Sequence, residues 1–220
     1  GKSSNMTCNY DTLVFCIRNI KNLTIPDFIK FIGTHAFSGC SNIEKIEIPI
    51  NSNLSSINSY AFFHSSIENF SVPKSLQIIN EYAFNWCKKL KNIEIPIDSK
   101  LSSIEFNAFS YSAIEKISLP EGLRNIGGRS FFSCKKIKKV YLPEKSKLQS
   151  IGIEAFADST ITSFSIPPCV SSIGNNAFGR CLKLQIVEIN NISIMESFDK
   201  HIFKNCKQVI VMISVKVKNH

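Results

Sequence analysis

Four cysteines, Cys40, Cys87, Cys134 and Cys181, stand 47 residues apart, and thiols at a fixed spacing invite a redox or metal-binding reading. The spacing itself argues against both. Repeats stacked in a parallel array advance about 4.8 Å per coil, so thiols two coils apart lie about 10 Å from each other, beyond the roughly 7 Å Cα separation that a disulfide can bridge. The column is expected to be free and buried. Cys206 comes one repeat after Cys181, close enough to pair, with buried packing its expected role. Cys8 and Cys16 precede the regular pattern and could close an N-terminal cap in an oxidising compartment. His35, His64, His201 and His220 are scattered, and no CxxC, HExxH, nucleophile elbow or phosphate loop occurs. The chain is therefore expected to lack catalytic residues, a metal site and a cofactor.

Lysine is the other residue with chemistry to offer. The net charge is +9 and the pI about 9.1, and Lys88, Lys89 and Lys91, then Lys135, Lys136, Lys138 and Lys139, then Arg180 and Lys183, and Lys204 and Lys207, recur just after the Phe turn. The same 47-residue step lines them up along one flank, where they could attract an anionic glycan, an anionic lipid or a nucleic acid. Nucleic acid is disfavoured, because Trp86 is the one aromatic that the sequence interleaves with the stripe and no recognised binding motif is present. A solvated edge that keeps the chain soluble would carry the same charges.

These residues are positioned by a repeat. Its anchor is a Phe, at 37, 62, 84, 109, 131, 156, 178 and 203, with gaps that alternate between 25 and 22 residues. The unit is therefore a 47-residue pair: cysteine follows the Phe by three residues in one coil, and Ser65, Ser112 or Ser159 does so in the next. Such self-similarity is the mark of a stacked solenoid. Each coil carries an apolar run such as IEKIEIP or LKNIEIP that ends at Pro26, Pro49, Pro73, Pro96, Pro120, Pro143 or Pro167. These runs alternate like a strand with one buried face, and a proline with no N–H to give ends the pairing. One parallel strand per coil, about nine in all, is expected. An inward Ile follows, then a Gly or Asn (Gly33, Asn58, Asn80, Gly127, Gly152, Gly174) read as a positive-φ turn residue, with Glu105 as the exception. Ala-Phe is read as opening a helical turn.

The repeated core, I-G-x-x-A-F-x-x-C-x-x-L-x-x-I-x-I-P, resembles the BspA-like (Treponema pallidum type) leucine-rich repeat over about nine-tenths of the chain. The resemblance implies an α/β solenoid, a leucine-rich-repeat right-handed superhelix with a parallel β-sheet on the concave face and short helical turns on the convex face. It further implies secreted or cell-surface proteins of anaerobic bacteria and protozoan parasites that adhere to host matrix proteins and aggregate cells. No catalytic residue transfers, since the family motif is structural.

The organisation expected is an N-terminal cap over 1–19, repeats over 20–213 and a C-terminal edge or tail over 214–220, where Val and Lys alternate. No apolar run is long enough for a membrane span. The chain begins at Gly1, which suggests a processed or recombinant start and leaves a leader undecided. Outward strand positions form one column of Asn22, Lys45, Asn69, Asn92, Lys116, Lys139 and Ser163, and another of Thr24, Glu47, Ser71, Glu94, Ser118, Tyr141, Ser165 and Glu188. Glu94, Lys116, Lys139 and Tyr141 are the candidate contacts on that face. The expected function is non-catalytic binding to a host or extracellular matrix protein at the cell surface. A cytoplasmic repeat scaffold, which free thiols would suit, and a sulfated-glycan binder acting through the lysine flank are the alternatives.

Overall fold

In a computed structural model the chain is described over residues 11–14, 20–190, 194 and 199–214. Cys8 and Cys16, whose pairing the sequence leaves open, and the alternating Val-Lys ending lie outside those residues. The chain winds as a parallel β-solenoid, and each coil gives strands of two kinds rather than one. Two-residue strands, from Thr12–Leu13 and Phe31–Ile32 through Ser56–Ile57, Ile78–Ile79, Ser103–Ile104, Asn125–Ile126 and Ser150–Ile151 to Ser172–Ile173, form a continuous eight-stranded parallel sheet. The Ile that reads in the sequence as the residue before a turn is thus itself in a ladder, Ile57 beside Ile79, Ile104 beside Ile126.

The proline-terminated runs are the longer strands, and they pair within the 47-residue unit. Asn22–Thr24 pairs with Lys45–Glu47, Asn69–Ser71 with Asn92–Glu94, and Lys116–Ser118 with Lys139–Tyr141. At the far end Ser163–Ile166, Ile186–Ile189 and Ile210–Ile213 make a three-stranded ladder. A seam separates successive pairs. It falls on the steps that contain the longer loop after proline, such as Pro96 to Ile104 against Pro73 to Ile79.

The interior follows the expected columns. Phe37, Phe62, Phe84, Phe109, Phe131, Phe156 and Phe178 are fully buried. Their rings stack one on the next with centroids from 4.7 Å (Phe62–Phe84) to 5.5 Å (Phe156–Phe178). That distance is close to the strand spacing of about 4.8 Å, so a ring column at one ring per coil meets at van der Waals contact. Phe70 and Phe164 stand tilted or edge-on against the column. The inward Ile and Leu columns complete one contiguous core.

The helical turns expected on the opposite side are not there; among the described residues no α-helix occurs, and a short 3-10 helix, Lys200–Phe203, stands in the last coil. Each Phe turn is instead a chain of i to i+3 turns. In the first, the N–H groups of Ala36, Ser38 and Cys40 donate to the carbonyls of Gly33, His35 and Phe37, while those of His35, Phe37 and Gly39 donate to Ser59, Ala61 and Phe63 of the next coil. Alternate amides thus serve the turn and the stack, so no i to i−4 helix ladder can form. The geometry needs a left-handed residue twice per coil, at His35 and Gly39, Tyr60 and His64, Tyr82 and Trp86, Asn107 and Tyr111, Arg129 and Ser133, Glu154 and Asp158, Asn176 and Arg180. The Gly and Asn column expected to hold positive φ does not. Its glycines are there for close approach: a Cβ on Gly127 would lie 2.8 Å from the carbonyl oxygen of Ile104, and one on Gly33 2.7 Å from that of Leu13.

Candidate functional site

The thiol column is structural. Cys87, Cys134 and Cys181 are buried and free, and each Sγ donates to the carbonyl of the anchor Phe one coil back, at 3.0, 3.2 and 3.1 Å. Each also touches the serine of that coil, Ser65, Ser112 or Ser159, at 3.4 Å. Burial pushes the Cys87 thiol up to about 12 and those of Cys134 and Cys181 to about 11. A thiol held protonated is neither nucleophile nor metal ligand. Cys206 is likewise free and donates to the Phe178 carbonyl at 3.1 Å, and Cys169 is free and exposed. Among the described residues no group of three His, Cys, Asp or Glu is placed to hold a metal ion.

The outward face of the longer strands is polar and cross-linked. Glu47 accepts from Lys45 at 2.6 Å and from Thr24 at 3.3 Å, and the Lys45 ammonium beside it holds its carboxyl below the usual range. One unit further on, Glu94 accepts from Ser71 at 3.0 Å and Asn92 donates to Asn69 at 2.8 Å. Between this pair of strands and the next lies a groove of about 960 Å³ that crosses the seam. Its walls are Ser71, Asn92, Glu94, Lys116, Ser118 and Tyr141, and beneath them run Pro96 and the core residues Val72, Ile93 and Ile95, which are buried. Three of the four sequence-selected residues on this face therefore meet in one recess. Tyr141, 47% exposed, is its aromatic. Lys139 pairs in register with Lys116 but stands outside the groove lining.

The lysine flank is corrugated. A recess of about 320 Å³ lies between the Cys87 and Cys134 coils, lined by Trp86, Lys88, Tyr111, Ser112, Ala113, Ser133, Lys135 and Lys136. A second, of about 380 Å³, follows towards the Cys181 coil, lined by Glu115, Lys135, Lys136, Lys138, Thr160, Thr162 and Lys183. Lys88 sits 4.5 Å from the centre of the Trp86 ring, and Lys89 is exposed one residue on. Lys135 is bound to Asp158 at 2.8 Å, and that hydrogen bond holds the Asp158 carboxyl below its usual range. The other positive charge on Asp158 is Arg180, at 3.6 Å. Trp86 is not alone: its ring packs on Tyr111 at 4.7 Å, and Tyr111 meets Phe132 edge-on at 5.6 Å. Sequence reading misses Tyr111, Thr160 and Thr162, since they stand on the intervening coils; 22 residues from Lys89 reach Tyr111, 25 from Lys135 reach Thr160, and the 24-residue strand step from Lys138 reaches Thr162.

Residues 11–110 and 102–219 match the BspA type leucine rich repeat region, in six copies. No curated protein matches. Among solved structures, a leucine rich cell surface protein of Faecalibacterium prausnitzii A2-165 superposes with a TM-score of 0.68 at 23% identity, covering 80% of this chain and 49% of its own. The pneumococcal vaccine antigen PcpA gives 0.55 at 21% identity, covering 89% of this chain and 69% of its own. The chain thus spans about half the length of the first, and at these identities the likeness is one of fold. With the repeat profile matched along nearly all of its length and the solenoid itself in view, the chain belongs to the BspA-type leucine-rich repeat family.

Proposed function

We propose that the protein works by non-covalent binding of another protein, an extracellular matrix protein of a host, at the cell surface. The observation that carries this is the groove across the strand seam, where Glu94, Lys116 and Tyr141 line one recess. An exposed tyrosine flanked by one charge of each sign offers the amphipathic anchor that dominates protein interfaces. The strands beneath are fixed by ladder hydrogen bonds on both sides of the seam, so binding orders little and loses little entropy. The surface location draws on the fold relatives, one described as a leucine rich cell surface protein and another as a vaccine antigen. No helix among the described residues is long and apolar enough to cross a membrane.

The test is binding to a panel of immobilised extracellular matrix proteins by the wild type and by Tyr141→Ala, Lys116→Ala and Glu94→Ala. Loss of an interface anchor should weaken binding by about 2 kcal/mol, some thirtyfold. Unchanged binding by all three variants would remove the groove from the interface. Labelling of intact cells with a membrane-impermeant amine reagent decides location, and a protein labelled only after lysis would be an intracellular scaffold.

A further inference from the structure

We propose that the lysine flank binds a linear sulfated polysaccharide, laid along the solenoid across the two recesses that share Lys135 and Lys136. The corrugation follows from the alternation of coil size. From anchor Phe to strand Pro a cysteine coil has 12 residues, Phe84 to Pro96 and Phe131 to Pro143, whereas a serine coil has 11, Phe109 to Pro120 and Phe156 to Pro167. The longer coils carry Lys88 and Lys89, Lys135 and Lys136, and Lys183 just beyond the cysteine. The shorter coils between them place Ala113 and Thr160 there, and the wall recedes. Basic ridges therefore alternate with small-residue troughs, one ridge every two coils or about 10 Å.

A chain with a sulfate or carboxylate at regular intervals can meet successive ridges while its sugar rings lie in the troughs. Thr160 and Thr162 already donate their hydroxyls to the carbonyls of Ile137 and Lys138 at 2.9 and 3.4 Å, so they shape the trough and leave recognition to the ammonium groups. Lys136, Lys138 and Lys183 form no ion pair with a described residue, and with Lys135 they outnumber the single carboxylate of that recess, Glu115. Single-stranded nucleic acid fits less well, because bases need open ring faces to stack on and the Trp86 and Tyr111 faces are turned to each other. No residue of either recess belongs to the groove on the strand face, so this site and the protein-binding surface stand or fall separately.

The probe is heparin, immobilised for salt elution and as a size-defined oligosaccharide for calorimetry. The wild type should stay bound past about 0.5 M salt, where exposed charges are screened within a few ångströms. The triple variant Lys136→Gln, Lys138→Gln, Lys183→Gln should elute near physiological salt, with affinity down about tenfold or more. Removing the same charge elsewhere, by Lys100→Gln, Lys145→Gln and Lys147→Gln, should leave elution within reach of the wild type, as should Lys116→Gln with Tyr141→Ala. Asp158→Asn releases Lys135 from its ion pair and should delay elution. Wild-type elution at physiological salt overturns the proposal, as does equal weakening by the two lysine triples. Displacement of heparin by single-stranded DNA or phosphatidylserine vesicles at equal charge would show unselective attraction and overturn it too.

Discussion

A single methyl group added at Gly39 and at Gly152 meets two different limits. Gly39 has φ +69° and open space where a Cβ would go, so Gly39→Ala confronts the left-handed backbone alone and should cost about 1 kcal/mol. Gly152 has ordinary φ, but its Cβ would lie 2.7 Å from the carbonyl carbon of Gly127 in the preceding coil. Gly152→Ala should therefore push two coils apart and cost about 2 to 3 kcal/mol. Denaturant titration of both variants decides it; equal losses would mean that close coil approach is not what selects this glycine. The buried thiols set a pH limit. In the unfolded chain they ionise near their ordinary value of 9.0, but in the fold Cys87 holds its proton to about 12 and Cys134 and Cys181 to about 11. The unfolded state then binds fewer protons than the native one, so stability is full below pH 9 and falls as pH rises towards 11. The slope should approach about 1 kcal/mol per thiol per pH unit. Cys87→Ser combined with Cys134→Ser should flatten it, and a wild-type midpoint level from pH 8 to 10.5 would contradict the assignment.

The element that these residues build is a strand, a turn and a stacked ring, repeated. Phe109 lies between Phe84 at 5.2 Å and Phe131 at 5.4 Å and is fully buried. Phe109→Ala opens a cavity that rigid neighbouring coils cannot close, and it should cost about 3 to 5 kcal/mol. A melting temperature near the wild-type value would show that the ring column does not hold the coils together. This column, the buried thiols and the proline-ended strands were legible in the sequence, because each imposes a residue type at a fixed interval. The turn was not. Its left-handed positions hold Asn107 and Asn176 in two coils but Tyr60, Trp86, Arg129 and Glu154 in others, so no turn-forming type recurs at the interval, and inter-coil hydrogen bonds hold these residues there against a local preference of about 1 to 2 kcal/mol. The continuous sheet also escaped notice, since a two-residue strand is too short to show a period. On the strand face, the columns were readable but not the groove, which depends on where pairing lapses between Glu94 and Ser118.

At the scale of the molecule, the 47-residue pair governs more than the sequence spacing. It sets which longer strands pair, where the thiol of one coil meets the serine and carbonyl of the coil before it, and where the lysine ridges rise. The longer loops also close on a buried serine at that period: Ser52, Ser99 and Ser146 each accept from the amide two residues on, at 3.1, 3.2 and 3.3 Å. In a solenoid, stability is close to a sum of coil and interface contributions, so the two kinds of interface can be separated by deletion. Removing residues 88–134, one whole pair, joins Cys87 to Lys135 and leaves every remaining coil facing the kind of neighbour it faces now. Removing residues 85–109, a single coil's length, joins Phe84 to Ser110 and puts one serine coil directly on another, with no thiol to meet the Phe62 carbonyl. The Phe62 carbonyl then keeps only the Ser65 amide, at 3.0 Å, and losing the thiol's hydrogen bond costs about 1 kcal/mol, to which the lost alternation of loop length adds strain. The larger deletion should therefore unfold cooperatively and melt higher than the smaller one, although it discards nearly twice as many residues. If the single-coil deletion were the more stable, the coils would be interchangeable and the pair would not be the unit of assembly.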